Sequence, residues 1–209
     1  MKLAIIGAGG HGREIASIAR SLHGERVSIS FWDDGLSIGE YDFGRVEGRV
    51  DELRSDKASH FVIGIGDPAT RAFISNENGF EGIEPARLVH PSAVIGDRCE
   101  IGAGSVVGPG SVITCDTTVG THTHVHANVV ISHNCRLENF IAVTPGVSLA
   151  GDVTIREMAW LGVGCTVNRG IEVGRSALVG AGAVVLSDVE AEDVVAGVPA
   201  RSLNPERQR

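Results

Sequence analysis

A parallel β-helix of six-residue rungs, preceded by a small α/β domain shaped like half of a Rossmann unit, is the fold class this chain predicts. Two observations carry it: an unbroken sixfold aliphatic period through the C-terminal half, and a strand, glycine loop and helix in succession at the start. From Val89 every sixth residue is aliphatic, through Ile95, Ile101, Val107, Ile113, Val119, Val125, Ile131, Leu137, Val143, Leu149, Ile155, Leu161, Val167, Val173 and Val179 to Val185. Four positions after each comes a small or β-branched residue, among them Ser105, Ser111, Thr117, Cys135, Val147, Cys165 and Ala177. Three such hexads close a triangular coil, so residues eighteen apart stack at about 4.8 Å and hydrogen-bond up a prism. Val107, Val125, Val143, Leu161 and Val179 then form one inward ladder. Aliphatic ladders fill the interior and small residues fit its corners, in keeping with an aromatic content of only 4%.

The N-terminal residues have a different rhythm. An apolar strand over Lys2 to Ile6 is followed by a glycine loop, a helical stretch from Glu14 to Leu22, a second strand from Val27 to Trp32 and a third around Phe61 to Ile65. Gly7-Ala8-Gly9-Gly10-His11-Gly12 satisfies GxGxxG between strand and helix, with Asp33 and Asp34 about twenty residues on. The repeat claims the chain from about Ile83, leaving room for half a dinucleotide fold and hence one nucleotide. A glycine turn serving only strand-to-helix packing is the competing reading. The expected division is 1–82 for the nucleotide-binding domain, 83–195 for the β-helix and 196–209 for a C-terminal tail, of which Asn204 to Arg209 reads as solvated charge.

Composition excludes several classes. A net charge of −8 argues against nucleic acid, which demands a basic surface. No apolar run approaches membrane-spanning length and the start lacks the charged region and cleavage site of a signal peptide, so a cytoplasmic protein with no membrane partner is expected. Cys99, Cys115, Cys135 and Cys165 have no CxxC spacing and read as buried free thiols. His122, His124 and His126 alternate, but a corner intervenes in every hexad and no cysteine or carboxylate joins them at ligand spacing. They read as a polar outer face or the lining of a cleft between subunits, and no metal is expected.

Together the two halves resemble the bacterial nucleotide-amino-sugar N-acetyltransferases and the related sialic acid O-acetyltransferase group, within the hexapeptide-repeat sugar acetyltransferases. The marks are the Gly7–Gly12 loop, Asp33-Asp34, Gly64-Ile65-Gly66-Asp67, His90-Pro91-Ser92-Ala93 and Gly197-Val198-Pro199-Ala200-Arg201, spanning nearly the whole chain. The resemblance implies that the β-helix is left-handed, against the usual crossover preference, that the protein is a homotrimer, and that acetyl-CoA is co-substrate. It carries over Gly9, Gly10, His11, Asp33, Asp34 and Gly66 as nucleotide-sugar contacts. For the acetyl-CoA surface it carries over Ala142, Gly162, Val163, Gly180 and Ala181, with Arg201 near the terminal phosphates.

The resemblance also singles out His133 as catalytic base, in a stretch where relatives follow the histidine with Asp or Glu. Here the follower is Asn134, an amide that orients an imidazole without lending it charge. Ala142 stands where many relatives have a histidine near the thioester. Register alone places Gly151 one coil above His133, where its backbone N–H would face a developing oxyanion. The expected activity is direct acetyl transfer from acetyl-CoA to a nucleotide-linked 4-amino-4,6-dideoxy sugar in surface glycan biosynthesis. The alternatives are a sugar O-acetyltransferase and a non-catalytic binding protein.

Overall fold

The structure is a computed structural model, and it describes residues 1–204. The N-terminal sheet contains β1 (Lys2–Ile6), β2 (Ser28–Trp32), β3 (Gly39–Tyr41), β4 (Gly44–Gly48), β5 (His60–Ile63) and β6 (Glu84–Pro85), in the order β3-β4-β2-β1-β5-β6. All neighbours are parallel except the β3–β4 hairpin. Helix α1 (Gly10–His23) returns the chain from β1 to β2, burying Ile15, Ala16, Ile18 and Ala19 on the face that meets the sheet. Helix α2 (Pro68–Asn78) starts with Asp67, whose carboxylate accepts from Thr70 N, and with a proline in its first turn. The sheet runs on to Pro85 and the column begins at Leu88–Val89.

Every sixth residue from Val89 to Val185 is the second residue of a two-residue strand, and these strands form three parallel sheets with partners eighteen residues apart. Val107, Val125, Val143, Leu161 and Val179 do pair in succession in the first sheet. The interior is the predicted one: the sixfold aliphatics pack with Val129, Cys135, Ile141, Val147, Ala159 and Cys165. Where corner residues are polar they bridge coils. Ser105 Oγ donates to Gly120 O and accepts from Thr123 N, and Ser111, Thr117 and Thr123 repeat the arrangement one corner further each time.

Each hexad from Ile95 to Val179 also contains one residue with positive φ, three places after its aliphatic landmark: Arg98, Asp116, His122, Asn128, Asn134, Phe140, Asp152, Met158 and Ser176, with glycines at 104, 110, 146, 164, 170 and 182. This left-handed residue folds the corner. It explains why Gly, Asn and Asp recur at a sixfold spacing.

The C-terminal segment does not trail away as a tail: Val194–Ala196 extends the first sheet and pairs antiparallel with Arg201–Ser202. The expectation of solvated charge for 205–209 lies outside the described residues. All four cysteines are free, with Cys135 and Cys165 buried and, contrary to expectation, Cys99 and Cys115 only half-buried.

Arg71 of α2 joins the two parts. Its side chain is 0% exposed and its five N–H groups are all used: Nε donates to His122 O, Nη1 to Ile65 O and Gly66 O, and Nη2 to Phe140 O and Ile141 O. Burial lowers its pKa to about 10, so it stays charged at neutral pH. One guanidinium thus ties the loop after β5 to two successive coils. Arg71→Ala leaves these carbonyls unpaired in the seam and is expected to destabilise the fold by about 3–5 kcal/mol, read as a lower urea midpoint. Arg71→Lys, with three donors in place of a planar fork, falls between.

Candidate active site

The glycine loop separates into two kinds of glycine. Gly7 has φ +92°, a Cβ on Gly12 would overlap the Gly7 carbonyl, and one on Gly64 would press within 2.7 Å of Gly12 Cα. These three serve the close approach of loop, helix and β5. Gly9, Gly10 and Gly66 meet nothing within 4 Å, so packing does not require them. α1 has Gly9 as N-cap with no side-chain cap and no acidic residue in its first turn, which leaves amides and the positive helix end facing open space. Asp33 organises this loop: Oδ2 accepts from Ala8 N and Oδ1 from Gly35 N, both at 2.8 Å. Asp34 Oδ1 accepts from Val50 N at 3.0 Å.

His11 leaves the loop in the other direction, into the seam between domains. Its Nε2 lies 2.8 Å from His124 Nδ1, its Nδ1 3.4 Å from Glu14 Oε2, and its ring stacks on His126 with centroids 4.6 Å apart. These groups line a cavity of about 230 Å³ with His90, Ile18, Pro109 and Pro145. The reading of His122, His124 and His126 as a polar outer face is corrected here: His122 and His124 are buried beneath the N-terminal domain, with the His122 ring stacked on Phe140. Desolvation, aided by the Arg71 charge, lowers His11, His122 and His126 to about 4 and His124 well below its usual value. At neutral pH all four rings are uncharged.

His133 lies elsewhere. It follows the second-sheet strand Val130–Ile131 and is exposed on the corner leading to the third sheet. The domain contacts made by His11, Arg71, Ser75 and Phe61 fall on the first sheet and its two flanking corners. Within one chain the loop and His133 therefore sit on different sides of the column.

The ring of His133 covers Gly151, where a Cβ would come within 2.6 Å of Nε2. Register thus brings the pair together as expected. Asn134, in contrast, does not bond the imidazole. It holds a positive-φ corner (φ 59°) and its Nδ2 donates to Asp152 Oδ1 at 3.0 Å. Asp152 also accepts from Arg169, and Asp116 of the coil below is paired with Arg98. Hydrogen bonds from Asn134 and Arg169, and from Arg98, hold these two carboxyls below the usual range, with the nearby His133 adding to the effect. The acidic groups near His133 thus come from the neighbouring coils.

On the expected donor surface, Val163 and Ala181 are exposed, but Gly162 is buried: a Cβ there would meet Val179 O at 2.6 Å and Ala181 N at 2.7 Å. It serves coil stacking and offers no exposed backbone. Ala142 is 0% exposed, between His124 and Trp160 in the first sheet, so its side chain presents no surface to a ligand. Arg201 is exposed in the hairpin paired with Ala196, and Ala196 packs over Gly180.

Comparison with known proteins identifies the family. Residues 2–77 match the PglD N-terminal domain family. A GDP-perosamine N-acetyltransferase of Escherichia coli O157:H7 is 28% identical over 183 residues, 85% of this chain and 82% of that protein. The acetyltransferase domain of PglB from Neisseria gonorrhoeae superposes with a TM-score of 0.90 at 31% identity, over 97% of this chain and 99% of that one. The chain belongs to the hexapeptide-repeat sugar acetyltransferases. PerB from Caulobacter crescentus, solved in complex with CoA and GDP-perosamine, matches with a TM-score of 0.86 and 31% identity over 97% of each chain. The PglB domain has also been solved with acetyl coenzyme A.

Sequence reasoning about this family member missed Arg71, Glu14 and the paired aspartates 116 and 152. The aspartates had a signal, the sixfold recurrence of corner-forming residues; Arg71 and Glu14 had none, since their contacts depend on how the domains dock. The buried histidines carry a pH consequence. Their native pKa values lie below the unfolded value of 6.5, so the stability they permit is complete above pH 6.5 and is lost as pH falls towards 4. Urea unfolding between pH 7 and 4 should record this decline, and His122→Phe should flatten it.

Proposed function

We propose that this acetyltransferase moves the acetyl group of acetyl-CoA directly to the amine of a nucleotide-linked 4-amino-4,6-dideoxy sugar, in surface glycan biosynthesis. The observation carrying this reading is likeness along nearly the whole chain to PerB, a protein solved with CoA and GDP-perosamine, joined to a glycine loop whose open glycines leave room for a nucleotide. Gly9, Gly10 and Gly66 lie against the nucleotide diphosphate, and the free amides of the α1 start neutralise it. Asp33 acts by holding the loop in shape.

His133 takes the proton from the attacking amine as nitrogen bonds to the thioester carbonyl. The Gly151 amide, which makes no hydrogen bond among the described residues, donates to the oxyanion, and collapse of that adduct expels the CoA thiolate. A covalent acyl-cysteine is disfavoured, because burial pushes the Cys135 thiol pKa up and points it at backbone carbonyls. Val163, Ala181 and Arg201 form the donor surface.

The loop and His133 occupy different sides of one column, so a complete site takes them from different chains. The second sheet offers the matching surface: its outward ladder contains Val94, Val112, Val130 and Val184, of which Val94 is 57% exposed and Val130 42%. A homotrimer packed through this face brings one chain's His133 to its neighbour's nucleotide.

CoA release in the presence of a GDP-linked 4-amino sugar tests the proposal, with the 4-hydroxy sugar as comparison. Turnover restricted to the hydroxyl acceptor would transfer the reading to O-acetylation. His133→Ala should lower kcat by about 10²–10⁴-fold with little change in KM for the nucleotide sugar. Gly151→Ala, which displaces the imidazole while leaving it present, should cost on the order of 10–100-fold. Undiminished turnover in His133→Ala would remove this residue from the chemistry.

A further inference from the structure

The seam between α1 and the first sheet contains a cluster that acyl transfer at His133 does not use. One ligand atom from each of His11, Glu14 and His126 lies within 4.8 Å of the others. The proton count of this cluster is informative. The 2.8 Å contact between His11 Nε2 and His124 Nδ1 needs one hydrogen. If His124 supplies it, His11 donates from Nδ1 to Glu14 and the pair is satisfied without a cation; the fully buried Nε2 of His124 lacks a partner in both arrangements, as a lone pair here and as an N–H in the other. If His11 supplies it, the Nδ1 lone pair of His11, the Glu14 carboxylate and the His126 imidazole converge with no positive charge among them.

The second arrangement is that of an unfilled cation site. The hydrogen bond to His124 is the kind of second contact that holds a metal-ligating imidazole in one tautomer. Helix α1 contributes His11 and Glu14 from positions three apart, on one face, and the column contributes His126. The Glu14 side chain is 69% exposed and free to turn inward.

We propose that His11, Glu14 and His126 bind one divalent cation of the borderline class, such as Zn²⁺, Co²⁺ or Ni²⁺, and so clamp the nucleotide-binding domain to the column. Two imidazoles and one carboxylate select these ions over Mg²⁺ and Ca²⁺, which prefer oxygen. Three protein ligands leave a position open to the cavity lined by His90 and Pro109, where water or a ligand oxygen completes the shell. The HxHxH run supplies only one of the ligands, which is why its spacing is uninformative about the site.

The test is independent of the acyl-transfer reading, because it measures binding. Chelator-treated full-length protein is titrated with Co²⁺ and followed by visible absorption and calorimetry. One ion per chain is expected, with intense bands of low-symmetry coordination and a Tm that rises with ion concentration. Glu14→Gln and His126→Ala should each weaken Kd at least 10-fold. Glu14 is exposed on a helix, so its variant remains folded and decides the matter even if His126→Ala does not. Absence of saturable binding, or an affinity unchanged in Glu14→Gln, would overturn the site.

Discussion

The whole architecture depends on one steric demand: every six residues the chain must turn a corner, and it does so by placing one residue in the left-handed region of φ/ψ space. Three corners bring the backbone back above its starting point, and only then do the inter-coil hydrogen bonds and the aliphatic ladders exist. Backbone conformation thus comes before burial here. It also decides residue identities that would otherwise be read as chemistry. Asn134 occupies a corner, where Asn tolerates positive φ better than most residues, and its amide is committed to Asp152.

This distinction accounts for what was legible in the sequence. The column was legible because it is a translation: the packing of Val107 under Val125 follows from counting, without knowledge of docking. Gly151 beneath the His133 ring belongs to the same class of fact. The glycine loop was legible as well, although only coordinates separate the glycines that packing requires from those left open. The seam between domains was not, because rigid-body docking has no period. Nothing local to Arg71 announces that its guanidinium will meet carbonyls from residues 65, 66, 122, 140 and 141. The burial of Ala142 and of the His122–His124 pair has the same origin, since outward residues of the first sheet become interior only where the N-terminal domain covers them.

The two centres of interest differ in electrostatic character. The His133 corner is exposed and flanked by ion-paired carboxylates, a setting in which an imidazole retains access to protons from solvent. The seam is largely buried, its histidines are kept neutral by desolvation, and its permanent charge, Arg71, is satisfied by carbonyl dipoles. One region suits proton transfer. The other suits rigid positioning of the glycine loop.

The C-terminal hairpin has a consequence of its own. A solenoid built by repetition has no inherent end, and its last rung presents unsaturated backbone to whatever strand arrives next. Here the chain folds Arg201–Ser202 back on Val194–Ala196 in the opposite direction, while Gly197 O and Ala200 N bond Val184. Arg201–Ser202 thus gives the first sheet an antiparallel last strand, so the parallel repeat does not run to that end of the column.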